Sequence, residues 1–66
     1  MKWTAKFVDN IFIITGSSGE EAGAVIEVAP TGETFLYEIP QYGGQERYSG
    51  KFTNVHEAAK VAESWA

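Results

Sequence analysis

The chain reads as an α+β domain, a five-stranded antiparallel meander with one C-terminal helix packed on one face. Three observations predict this fold. Five short stretches alternate apolar and polar residues with a period of two. The connections between them carry turn formers: Asp9-Asn10, Pro30 with Gly32, and Gly43-Gly44. Only the stretch after Asn54 shows a helical period. With 66 residues, 44% hydrophobic and 21% charged, the composition is that of a folded globular chain and allows one domain, residues 1–66, with one core. A chain this short buries only about 60% of the surface it exposes when unfolded, so self-association is a reasonable expectation.

Trp3, Ala5 and Phe7 alternate with Thr4, Lys6 and Val8, the pattern of a strand with one buried face. Asp9-Asn10 supplies two residues that tolerate positive φ, as a tight hairpin requires. A two-residue turn there pairs Val8 with Ile11, Phe7 with Phe12 and Ala5 with Ile14. That register places Trp3, Ala5, Phe7, Phe12 and Ile14 on the core side and sends Val8, Ile11 and Ile13 to the other. Gly16 to Gly23 lacks an apolar period and reads as a flexible loop.

A third strand runs from Ala24 to Val28, with Ala24, Ile26 and Val28 opposed to Val25 and Glu27. Ala29-Pro-Thr-Gly32 places Pro second and Gly fourth in a four-residue turn. The return strand, Thr34 to Ile39, sets Phe35, Tyr37 and Ile39 against Thr34, Leu36 and Glu38. The aromatic set is expected in the core, and Pro40 ends the strand. After a glycine-bearing connection at 41–45, Tyr48, Gly50 and Phe52 alternate with Arg47, Ser49 and Lys51 in a fifth strand at the edge. Asn54 followed by Glu57 forms an Asn variant of the capping box. Val55, Ala58, Ala59, Ala62 and Trp65 then fall on one stripe of a helix, with Glu57, Lys60 and Ser64 toward water.

A net charge of −4 opposes attraction to phosphate backbones and anionic membranes. The absence of cysteine excludes disulfides and thiolate chemistry. The longest apolar run, Ile11 to Ile14, is far short of a membrane span, and Met1-Lys2-Trp3 opens no signal peptide, which points to a cytoplasmic protein. The one histidine, His56, shares a helical strip with Lys60 and Glu63, but a lysine in the middle disfavours a metal. Ser17 and Ser18 lack a nucleophile elbow. Glu20 and Glu21 would repel a phosphate at the glycine stretch and have no concave pocket to serve. These residues predict no enzyme and no cofactor.

The remaining signal is geometric. A helix is about 10 Å across, whereas five strands span about 20 Å or more, so one helix leaves an entire sheet face bare. The expected open face carries Thr4, Lys6, Val8, Ile11, Ile13, Thr15, Val25, Glu27, Leu36 and Glu38. Its candidate protein-binding residues are Val8, Ile11, Ile13, Val25, Glu27, Leu36 and Glu38, because contiguous exposed aliphatic side chains mark contacts. Glu20, Glu21, Glu27 and Glu38 would act as phosphate mimics toward a nucleic-acid-handling partner. Strand addition at an edge is another mode. Two alternatives stand beside this reading: a single-stranded nucleic-acid binder using Tyr42, Arg47, Tyr48 and Lys51, and a homodimer.

The segment Tyr48-Ser-Gly-Lys-Phe52 running into Thr53-Asn-Val-His-Glu57-Ala-Ala-Lys-Val-Ala62 resembles the last strand and helix of small phage- and prophage-encoded sheet-plus-helix proteins. It is also similar to the corresponding part of plant ethylene-response-factor-type and integrase amino-terminal DNA-binding domains. Those domains carry Arg and Trp on the preceding strands, where this chain has Val25, Glu27, Leu36 and Glu38. The phage resemblance implies an accessory protein that occupies a surface of a host complex, as anti-CRISPR inhibitors do.

Overall fold

The computed structural model describes residues 1–19, 21–40 and 45–65. Five strands, β1 (Lys2–Val8), β2 (Ile11–Ser18), β3 (Glu21–Val28), β4 (Thr34–Glu38) and β5 (Arg47–Phe52), precede one helix, α1 (Val55–Glu63). The strands lie in the sheet in chain order, each antiparallel to the next. The fold is the expected α+β meander with one C-terminal helix packed on it.

The β1–β2 hairpin has the expected register, with Val8 opposite Ile11, Phe7 opposite Phe12 and Ala5 opposite Ile14. Asp9 and Asn10 both adopt positive φ, at 50° and 66°, the backbone twist that lets a two-residue turn match its strands. Within the expected loop at 16–23, residues 16–18 and 21–23 are instead strand. Ser17 pairs with Ala22 and Ser18 with Glu21, after an irregularity at Gly16/Ser17. Ladder pairing is a backbone property, so this segment extends the hairpin without an apolar period.

Directly paired residues share a face, so the registers resolve the helix side into three rows. These are Phe7–Phe12–Val28–Thr34–Phe52, Ala5–Ile14–Ile26–Leu36–Gly50 and Trp3–Gly16–Ala24–Glu38–Arg47. The helix packs on β3, β4 and β5. Ala24, Ile26, Leu36, Ala58 and Ala62 are fully buried between the layers. Met1, Trp3, Ile14, Val28, Phe52, Val55, Ala59, Val61 and Trp65 close around them. The alanines on α1 let the helix axis approach β3 and β4, where Ile26 and Leu36 supply the bulk.

The helix starts as its sequence predicts. Asn54 is extended, and its Oδ1 accepts the Glu57 N–H at 2.9 Å, which satisfies one of the unpaired donors at the first turn. At the other end, the Trp3 indole N–H donates to Glu63 at 3.1 Å and ties β1 to α1.

Three residues expected on the core side, Ala5, Phe7 and Phe12, are exposed. Phe7 is 62% and Phe12 46% exposed, their rings 5.4 Å apart. They lie on the helix side, but α1 covers β3–β5 and stops short of the β1–β2 tip. One narrow helix cannot roof five strands.

Candidate binding face

On the side away from α1, the registers set out two full rows, Lys6–Ile13–Glu27–Phe35–Lys51 and Thr4–Thr15–Val25–Tyr37–Tyr48, with the pair Val8–Ile11 beyond them. Val8, Ile11, Ile13, Val25 and Glu27 therefore share one face, as expected. Val8 is exposed and the other four are half-buried.

Leu36 and Glu38 are corrections, for they do not belong to this face. Leu36 is fully buried under α1, opposite Ile26 and Gly50, and Glu38 is paired with Ala24 on the same helix side. The cause is one residue in a turn. The Gly32 N–H donates to the Ala29 carbonyl at 2.9 Å, which makes the expected four-residue turn. The Ala29 N–H also donates to the Glu33 carbonyl at 2.9 Å, so the loop includes Gly32 in a left-handed conformation at φ 93°. Val28 then pairs with Thr34. Counting the turn one residue shorter inverts both faces of β4.

The inversion brings Phe35 and Tyr37 onto the open face. An irregularity at Leu36/Tyr37 lets Tyr48 pair with Tyr37 while Gly50 pairs with Leu36, leaving Ser49 as the extra residue. Tyr48, 61% exposed, therefore joins the aromatic side although Gly50 and Phe52 face α1. Its ring centroid is 5.8 Å from Tyr37 in an edge contact and 6.5 Å from Phe35. The sequence signals that would have revealed this cluster are Gly32 as a left-handed closing residue and the Arg47-Tyr48-Ser49-Gly50 stretch as a bulge.

The electrostatics of the face are mixed. Lys51 Nζ lies 2.8 Å from Glu33 Oε2, both side chains about half exposed. The pair holds the Glu33 carboxyl below its usual range, helped by the Thr31 hydroxyl, and raises the Lys51 ammonium. Burial pushes the Tyr37 phenol up, and the Glu27 carboxylate adds to the effect. Glu27 and Glu38 occupy opposite faces, so they form no joint acidic surface.

Of the nucleic-acid candidates, Tyr48 and Lys51 share the open face, Arg47 pairs with Glu38 on the helix-side register, and Tyr42 lies outside the described residues. Glu20 also lies outside them. His56 and Lys60 border a shallow depression of about 350 Å³ with Glu57, Val61 and Ser64 on the outer flank of α1. Among the described residues no three of His, Cys, Asp and Glu come together as a metal site. No helix among them is long and apolar enough to cross a membrane. Comparison with known protein families, curated proteins and solved structures finds no match to this chain.

Proposed function

We propose that this protein is a non-catalytic protein-binding module whose contact surface is the sheet face opposite α1. One observation carries the reading. The helix occupies a single side of the sheet, so Val8, Ile11, Ile13, Val25, Phe35, Tyr37 and Tyr48 share a face that no helix or strand among the described residues covers. Aliphatic and tyrosine side chains on a preformed sheet bind proteins with little ordering cost. The resemblance of the last strand and helix to phage accessory proteins extends the reading to a partner within a host nucleic-acid-handling complex, as anti-CRISPR inhibitors have. With Glu27 and Glu38 on opposite faces, apolar contact rather than phosphate mimicry is what would hold that partner.

The test is retention of a partner by immobilised protein, comparing wild type with Val25→Asp and the helix-side control Lys60→Glu. A protein held by wild type and control but released by folded Val25→Asp supports the reading. Equal retention by all three overturns it.

A second reading has its own observation. Phe35, Tyr37 and Tyr48 cluster on a sheet surface beside Lys51 and could stack unpaired bases. Glu27 within the same face and the engagement of Lys51 by Glu33 weigh against it. Quenching of tyrosine and tryptophan fluorescence by oligothymidylate at low salt favours this reading, and no quenching removes it.

A further inference from the structure

We infer that the occupant of the β1–β3 half of the open face is the same half of a second copy, stacked face to face about a twofold axis running along β2. This inference rests on the reading of that face as a protein-binding surface and names the partner. Charge complementarity selects it. Lys6, Ile13 and Glu27 are successive members of one row, so the two charges stand about 10 Å apart, too far to pair within the monomer. Among the described residues the only ion pair is Lys51–Glu33, which leaves Lys6 and Glu27 without one.

An axis along β2 sets Ile13 against Ile13 and Ile11 against Ile11. It also brings Lys6 over Glu27 of the second copy, and Glu27 over Lys6 of the second copy. Stacked sheets lie about 10 Å apart, a gap that a lysine and a glutamate reaching toward each other can span. The neighbouring placements fail on charge. An axis along β3 puts Glu27 on Glu27 and Lys6 on Lys51. An axis along β4 pairs Glu27 with Lys51, whose ammonium is already 2.8 Å from Glu33. The β2 placement makes the interface isologous, with the Lys6–Glu27 pair occurring twice and the isoleucines meeting their own copies on the axis.

The experiment is sedimentation equilibrium from micromolar to millimolar chain, with circular dichroism as a fold check. Wild type self-associates to a dimer. Glu27→Lys and Lys6→Glu, each alone, weaken the dimer roughly tenfold or more by setting like charges across the axis. The double variant Glu27→Lys with Lys6→Glu recovers it, and mixing the two single variants yields a heterodimer, since each then presents the charges the other lacks. A strictly monomeric wild type, or single variants not rescued by the double variant and by mixing, overturns the inference. A monomeric wild type that still loses a captured partner on Val25→Asp leaves the protein-binding reading standing and removes only the second copy as its occupant.

Discussion

Trp3 and Gly16 stand opposite each other across β1 and β2, and the indole ring occupies the space where a Gly16 side chain would be. A Cβ built on Gly16 would lie 2.6 Å from the Trp3 ring and 2.6 Å from the Met1 sulfur. The ring cannot simply retreat, because its N–H is held by Glu63 and it packs against the core edge. Gly16→Ala should therefore cost about 1–3 kcal/mol, the usual penalty of forcing extra volume into packed surroundings. Urea denaturation followed by tryptophan fluorescence measures it. Gly32, which has open space around its Cβ position but a φ of 93°, is the informative comparison, since any loss there is conformational.

Leu36, like Ile26, is a large side chain fully buried beneath α1, and its truncation tests where the core lies. Leu36→Ala should destabilise by about 2–5 kcal/mol through lost burial and an unfilled cavity. A single core in a chain of this size supplies roughly 3–5 kcal/mol in all, so the variant should be largely unfolded at room temperature. Phe12→Ser, at a larger but 46% exposed residue, should lose far less. Thermal melts of the two variants in parallel check the order, and a reversed order would place the core at the β1–β2 tip.

The elements are legible in the sequence wherever local chemistry and register agree. Asp9-Asn10 admits one hairpin geometry, and the pairing of β1 with β2 follows from it. Asn54 and the alanine stripe locate α1 and its buried face. Legibility fails where a single backbone residue decides the phase. Gly32 closing the β3–β4 turn and Ser49 bulging β5 each flip a strand face, and neither has a side chain that announces it. Phe35 and Leu36 are both apolar, so composition cannot choose between them, and ring size alone favours the wrong one. The exposure of Phe7 and Phe12 has a tertiary reason, since no local pattern states which strands a lone helix will cover.

The Asn54 cap should be worth about 1 kcal/mol. Its side chain accepts the Glu57 N–H at 2.9 Å in a helix of only nine residues, a length that is marginal without tertiary support. Asn54→Ala should lower stability by that amount and increase amide exchange at Glu57 first, whereas Asn54→Asp should keep the bond and the stability. Equal losses for the two variants would show that the backbone conformation at Asn54, not its side-chain acceptor, sets the helix start.

Tyr37 should titrate above the ordinary tyrosine value of 10.0, because burial and then the Glu27 carboxylate disfavour its phenolate. In the unfolded chain both influences vanish. The unfolded state then releases its proton first as pH rises, so the native state holds more protons above the unfolded value. The stabilising contribution is complete below that value and is lost as pH climbs through the folded one. Absorbance titration near 295 nm should show a phenol of the folded protein lagging behind the unfolded chain. Glu27→Gln should move it part of the way back, leaving the share due to burial. If Glu27→Gln leaves the lagging phenol where it was, the carboxylate does not act on Tyr37 across the β3–β4 pair, and the mixed charge assigned to the open face is wrong at its centre.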